Sequence, residues 1–233
     1  MGEIADREGD DGQGAARRAD PTASSVRERR PRDAEATRRR ILEAAKREFA
    51  ERGLGGARVD AIAERADTNK RMIYHYFGGK EALFRAVLEF VYLDIRAAER
   101  ALPLEQLAPE DALRALVRFT WSYHLNNPAF LTLVNSENLH GARHLRALPR
   151  VRDAYPPMVA RLQAVLDRGA EQGVFRPGVD PVQLNITISS LSHYYFSNRH
   201  TLSTVFATDL MAPQALADRL AFNIDTILRM VRA

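Results

Sequence analysis

The stretch Ala66-Asp67-Thr68-Asn69-Lys70-Arg71-Met72-Ile73-Tyr74-His75-Tyr76-Phe77, followed at once by Gly78-Gly79-Lys80-Glu81, decides the fold. It reads as a tight turn and then a short helix. Asn69 is a good N-cap, because its side-chain oxygen can take one of the backbone N–H groups that a helix start leaves unpaired. The helix runs from Lys70 to about Tyr76 and ends before the glycine pair. At about 100° per residue, Ile73 and Phe77 share one side. Arg71, Met72 and His75 share the other, with Lys70, Tyr74 and Tyr76 on the flanks. One side packs, and the other offers cations, aromatic hydroxyls and a thioether to a partner.

The preceding segment supplies the packing surface. Val59, Ile62, Ala63 and Ala66 recur at i, i+3, i+4 and i+7, the stripe of a short amphipathic helix. Two short helices joined by a tight turn, the second with a basic and aromatic outer face, describe a helix-turn-helix whose second helix enters a DNA major groove. Further upstream, Asp33 can cap a longer first helix carrying Ile41, Leu42, Ala45 and Phe49 at helical spacing and ending at Gly53. Residues 1–32, rich in Gly, Ala, Asp, Arg and Pro, read as a disordered tail. Two readings stand for Arg27, Arg29, Arg30 and Arg32: they follow the DNA backbone, or they belong to a solubilising leader.

With 233 residues, 45% of them apolar, the chain can bury a sizeable core. It has no cysteine, which excludes a disulfide scaffold, a zinc ribbon and a thiol catalyst. No apolar run has the length of a signal peptide's core or of a membrane span, so the expectation is a soluble cytoplasmic protein with no membrane partner. The net charge of +4 is unevenly placed: residues 1–26 carry 3 basic and 6 acidic side chains, 27–80 carry 15 and 9, and 81–233 carry 16 and 15. The basic excess surrounds the short outer helix, where phosphates would be attracted.

Beyond Lys80 the pattern is helical throughout, which makes the chain all-α. A helix over about Lys80 to Arg100 carries Leu83, Phe84, Val87, Val91 and Ile95. Pro109 opens another with Leu113, Leu116, Val117, Thr120, Trp121 and His124, and Pro128 a third with Phe130, Leu131 and Val134 leading to Asn135, Glu137 and Asn138. Gly141 interrupts that helix, and a long one follows from about Val151 to Gln172. Asp180-Pro181 opens a helix with Leu184, Ile188, Leu191 and Tyr195 on one face. Pro213 opens the last, with Leu216, Leu220, Ile224, Ile227 and Val231. Two such helices from each of two chains would make a four-helix homodimer interface, and the same stripes would equally serve an intrachain core.

Four pieces in order carry a family resemblance: Thr37-Arg38-Arg39-Arg40-Ile41-Leu42-Glu43-Ala44-Ala45, Phe49-Ala50-Glu51-Arg52-Gly53, Val59-Asp60-Ala61-Ile62-Ala63, and Tyr74-His75-Tyr76-Phe77-Gly78-Gly79-Lys80-Glu81-Ala82-Leu83-Phe84. Over roughly residues 34–90 the chain resembles the N-terminal domain of the TetR family of bacterial repressors. The resemblance implies an N-terminal three-helix helix-turn-helix DNA-binding domain, residues 33–79, joined to a larger helical ligand-binding and dimerisation domain, residues 80–233. It further implies a homodimer on a double-stranded DNA operator, released by a small-molecule effector, and a lysine opening the fourth helix, here Lys80, on a phosphate. Two departures stand out. Ala57-Arg58 occupies the place where Thr or Ser usually caps the second helix, and Asp67 and Arg71 occupy places where glycines are common.

For DNA, Lys70, Arg71 and His75 are candidates for base edges or adjacent phosphates and Met72 for a thymine methyl. Tyr74, Tyr76 and Lys80 would position the backbone, and Arg58 could reach a phosphate. The other reading of Tyr74 and Tyr76 is packing against neighbouring helices. One short helix reads too few base pairs for genomic specificity, so two copies should share a palindrome with half-sites about one turn apart.

For a ligand, Trp121, His124, Asn135, Glu137, Asn138, Tyr194, Tyr195 and Arg199 sit on or beside apolar stripes, where polar groups need partners. They either satisfy one another or line a pocket, one suited to a planar, nitrogen-containing or carboxylated compound. Glu137, His140 and His144 have a spacing that can gather a metal, but Gly141 falls between them, and no metal or cofactor is assigned. The body shows no phosphate loop, activated nucleophile or second acid cluster, so an enzyme is not expected. A DNA-binding activator or architectural protein blind to small molecules is the third class, and a polar pocket would argue against it.

Overall fold

Glycine and proline cut the chain into helices. The computed structural model describes residues 21–233, with side-chain surroundings from residue 33 onward. Among the described residues are eleven α-helices and a short 3-10 helix. There is no named strand among them, only an isolated antiparallel bridge between Phe175 and Arg232. Contacts divide the chain into two units, residues 1–37 and 38–233. None of the described helices is long and apolar enough to cross a membrane.

Helix α1 spans Pro21–Gly56 and breaks at Gly53, whose φ of 64° only glycine adopts without strain. It begins at Pro21 and not at Asp33. Alanine, arginine and glutamate, frequent from residue 23 to 40, are strong helix formers, and a proline at the first position gives up an N–H that would have no partner anyway. Of the tail expected over residues 1–32, residues 1–20 lie outside the described residues, as do the side chains of Arg27, Arg29, Arg30 and Arg32.

Helices α2, Val59–Arg65, and α3, Lys70–Phe77, follow, and then the long α4, Lys80–Arg100. Val59, Ile62, Ala63 and Ala66 bury the stripe read from the sequence, and Ile73 seats α3 on it. These side chains share one core with Ile41, Phe49, Leu83 and Phe84. The Phe49 and Phe84 rings meet edge-on at 5.1 Å. The same core continues into Trp121, Phe130 and Tyr195, so packing does not pause at the 79/80 boundary.

The body comprises α5 Pro109–Asn126, α6 Pro128–Leu139, α7 Pro149–Asp153, α8 Tyr155–Glu171, α9 Pro181–Ser197, α10 Arg199–Val205 and α11 Pro213–Val231. The single helix expected from Val151 to Gln172 is two, parted at Ala154. Pro156 and Pro157 supply no N–H to the carbonyls of Arg152 and Asp153, so the hydrogen-bond ladder lapses there and the helix restarts at Tyr155 with proline in its first turn. Asp180 caps α9, its carboxylate accepting from Val182 N at 2.7 Å and Gln183 N at 3.1 Å.

A second core joins α5, α8, α9 and α11 through Leu113, Leu116, Leu162, Leu184, Ile188 and Ile227. The stripes on α9 and α11 that could have formed a dimer seam are therefore intrachain core. Their size and spacing fit the inner face of one body, and a different set remains exposed: Val182, Ile186 and Tyr194 on α9, and Phe222 on α11.

Candidate nucleic-acid interface and ligand cavity

The α2–α3 turn is fixed by its own backbone. Asp67 takes the left-handed conformation at φ 48°, which aspartate tolerates better than most residues. Thr68 N–H donates to Ala63 O at 3.0 Å. Asn69 Oδ1 then accepts from Met72 N at 3.0 Å, and Gly78, at φ 82°, closes the other end with its N–H on Tyr74 O. This leaves α3 one inner row, with Ile73 fully buried and Phe77 half-buried beneath the Arg38 guanidinium at 5.3 Å. Lys70, Arg71, Tyr74 and His75 are exposed, and Met72 is half-buried between them.

The exposed cations differ. Lys70 Nζ pairs with Asp60 at 3.2 Å, whereas Arg71 makes no ion pair among the described residues. Tyr74 is 46% exposed, while Tyr76 is half-buried against the core, with its ring edge-on to His75 at 5.3 Å. Of the two readings of these tyrosines, outward display fits Tyr74 and packing fits Tyr76.

Two positions have partners that sequence reading did not supply. Lys80 Nζ donates to Gly55 O at 3.2 Å and Ala57 O at 3.0 Å, so its ammonium clasps the α1–α2 connection. The Arg58 side chain is exposed, and its backbone N–H donates to Glu48 Oε1 at 3.2 Å. Glu48, buried on α1, thus satisfies the N–H of the residue that precedes α2, while α2 itself keeps no side-chain cap. The only hint of it in the sequence is a carboxylate directly beside Phe49.

In the body, a cavity of about 270 Å³ lies between α4, α5, α6, α8 and α9. Of the expected ligand residues only His124 lines it. Tyr92, Arg96, Tyr155, Asn185 and His193, all missed from sequence, join it there. His124 Nδ1 sits 2.8 Å from Ser192 Oγ. Burial above all, then the nearby His193 and Arg96, push the His124 imidazole down to about 4. Burial also lowers His193.

Arg96 is 9% exposed, and its guanidinium carbon lies over the Tyr155 ring, 4.9 Å from the centroid. Its Nη1 lies 2.6 Å from Glu99 Oε2, close enough for Coulombic pairing. Among the described residues, however, neither Nη1 nor Nε has a partner in hydrogen-bond geometry, and His193 Nε2 has none either. A buried donor left unmet costs about 1–3 kcal/mol. Burial raises the Glu99 carboxyl against the pull of Arg96 and Arg161.

The other expected ligand residues lie elsewhere. Trp121 is core, packed between the Tyr195 and Phe196 rings at 5.3 and 4.5 Å. Asn135 donates to Ser197 Oγ at 3.2 Å and, with Tyr194, borders a separate hollow of about 450 Å³. Tyr194 and Tyr195 line a groove of about 490 Å³ against α10 and α11, with the Tyr195 hydroxyl held on Leu210 O at 2.7 Å. Asn138 and Arg199 donate to carbonyls of their own neighbourhood, Val134 O at 3.0 Å and Phe196 O at 2.9 Å. Polar residues one turn past an apolar stripe have such partners within reach.

Glu137 is buried too, but its carboxylate is fully engaged. Oε1 accepts from the N–H groups of His144 at 2.7 Å and Leu145 at 2.9 Å, and Oε2 from His144 Nδ1 at 2.8 Å. Burial pushes this carboxyl up, and these bonds outweigh it and hold the group below its ordinary range. His140 is exposed on its own turn, its Nδ1 2.7 Å from Ser136 O. Among the described residues no three His, Cys, Asp or Glu side chains converge as a metal would require.

A buried helix-turn-helix frame, an exposed basic and aromatic α3 and an all-α body define a DNA-binding regulator. Residues 41–87 match the bacterial regulatory proteins of the tetR family, and residues 109–227 match the tetracyclin repressor-like C-terminal domain. The chain is 41% identical over 203 residues to the HTH-type transcriptional repressor NicS of Pseudomonas putida, covering 87% of this chain and 96% of that one. It is 34% identical over 164 residues to the HTH-type transcriptional repressor SCO4008 of Streptomyces coelicolor, covering 70% and 80%. Its fold is similar to the crystal structure of the TetR family transcriptional regulator PfmR from Thermus thermophilus, with a TM-score of 0.59 and 27% identity over 81% of this chain and 97% of that one. The chain belongs to the TetR family of bacterial regulatory proteins.

Proposed function

We propose that this regulator is a cytoplasmic repressor that binds a palindromic operator as a homodimer and leaves it when a small molecule enters the body cavity. Residues 33–79 form the reading head and residues 80–233 the ligand-binding and dimerising body. The observation that carries the reading is α3 itself. Arg71, Tyr74 and His75 stand exposed on a helix anchored by the fully buried Ile73, a geometry that presents donors to a groove without loosening the head.

Three further features support it. The relatives at 41% and 34% identity are named as repressors. The exposed apolar side chains Val182, Ile186, Tyr194 and Phe222 give α9 and α11 a face for a second copy. Arg96 in the cavity and Lys80 on the head both belong to α4, so a ligand that moves this helix acts on the connection that holds α2 and α3. A cavity with Arg96, His124, Asn185 and His193 in its lining also favours a ligand-responsive protein over an architectural one.

The test is to mix the purified chain with sheared DNA of its own source at physiological salt and sequence what is retained. An enriched palindrome whose recovery drops when a small-molecule extract of the cells is added is the expected result. Retention without sequence preference, with and without extract, contradicts the reading.

A further inference from the structure

The one permanent charge in the cavity's lining, the Arg96 guanidinium, is already answered. Glu99 Oε2 lies 2.6 Å from its Nη1, and Nε and Nη1 are both sealed from open space. Burial favours the neutral form of both imidazoles, His124 and His193. An ion entering here would leave water without gaining a free counter-charge. What the cavity does offer lies along α9, where Asn185, Ser189 and His193 follow at i, i+4 and i+8 on one row. The side chains of Asn185 and Ser189 bond to no other described residue, and no polar atom of either is sealed off without a partner. Their amide and hydroxyl therefore open onto the cavity they line. Ser190 Oγ donates to Ile186 O at 2.7 Å and keeps its lone pairs. Helices α4 and α6 supply apolar wall, with Tyr92 and Phe130 edge-on at 5.7 Å. The adjoining hollow shares Ser190 and His193 with the cavity and adds Asn135, Ser197 and Asn198, with no carboxylate, lysine or arginine. At about 270 Å³ the cavity falls at the small end of ligand sites.

We infer that this cavity takes a small, uncharged planar compound with a donor and an acceptor side by side, a carboxamide or a lactam, read by Asn185. The Asn185 amide carries the complementary pair, an N–H beside a C=O, and meets that edge with two hydrogen bonds. Ser189 stands one turn along for a further polar atom, and the ring packs on Tyr92 and Phe130. The inference rests on the ligand-responsive reading above and names the chemistry of its ligand.

Three probes of one shape test it by calorimetry on the full chain: benzamide, its anionic counterpart benzoate, and acetophenone, which keeps the carbonyl and replaces the amide nitrogen by a methyl. Ring signals of His124 and His193 report whether the probe sits in this cavity. Benzamide should bind and shift both histidines. Acetophenone should be weaker by about tenfold, the scale of one hydrogen bond, and benzoate by about tenfold or more for want of a counter-charge. Asn185→Leu exchanges the amide for an apolar side chain of similar size that favours a helix, so the variant should melt close to the parent. It should bind benzamide no better than acetophenone. Benzoate or acetophenone binding as tightly as benzamide, a preference that survives in Asn185→Leu, histidine signals that stay still, or no binding of benzamide up to its solubility would overturn the assignment. The two readings fail separately. If Asn185 holds benzamide while the recovered palindrome stays bound at saturation, the amide site stands and ligand release falls. If benzoate enters this cavity in preference to benzamide and frees the palindrome, ligand release stands and the amide site falls.

Discussion

Arg71 and Lys70 are neighbours on α3, yet Lys70 shares its charge with Asp60 while Arg71 does not have such a partner among the described residues. Arg71→Ala should therefore lower operator affinity by about tenfold or more, the scale of one bidentate base contact, and leave the melting temperature unchanged. Lys70→Ala should cost less. Fluorescence anisotropy on the operator at several salt concentrations checks both, and equal losses would contradict the distinction. In the body, His124 is held neutral down to about 4, while an unfolded histidine titrates near 6.5. Because the folded value is depressed, its contribution to stability is fully present above about pH 6.5 and is lost as pH falls towards 4, by about 3 kcal/mol. A pH series of thermal melts should show this slope flattened in His124→Gln. Residues acting through local geometry, such as Asn69, Ile73 and Asp67, are legible in the sequence, since a cap, a buried stripe and a left-handed turn depend on near neighbours. Glu48 and Arg96 are not, because each takes its meaning from another helix: Glu48 from the start of α2, Arg96 from Tyr155 on α8.

Among the elements, α4 joins the two functions, its first residue clasping the α1–α2 connection and its later turns lining the cavity. Replacing the clasp with an apolar side chain of similar length, Lys80→Met, leaves two carbonyls without this donor. It should destabilise the chain by about 1–2 kcal/mol, read as a lower midpoint in urea. If Lys80 acted only on phosphate, the midpoint would hold and DNA binding alone would weaken. Helix boundaries follow the punctuation closely where a proline opens a helix after a turn, as at Pro109, Pro128, Pro181 and Pro213. Punctuation misleads where proline meets a strong helical pattern. Pro156-Pro157 restarts a helix that periodicity alone would carry through, and α1 reaches back past Asp33 to Pro21 on the propensity of its alanines and arginines.

At the scale of the whole molecule, the apolar stripes of α9 and α11 are divided between an inner face that builds the second core and an outer face that a second copy can cover. Sequence periodicity marks both faces alike, which is why it could not assign them. Tyr194 at 61% and Phe222 at 59% exposure belong to the outer set. Phe222→Glu with Val182→Glu should leave the monomer's melting behaviour intact, halve the mass measured by light scattering, and weaken operator binding by about a hundredfold or more as two-handed attachment is lost. An unchanged mass would place the dimer face elsewhere. The central claim, that two copies of α3 read one symmetric site, is tested most directly by hydroxyl-radical footprinting on the operator recovered from genomic DNA. The account predicts two protected patches related by two-fold symmetry, with centres about one helical turn apart, both fading in Arg71→Ala. A single asymmetric patch, or protection that Arg71→Ala leaves untouched, would contradict it.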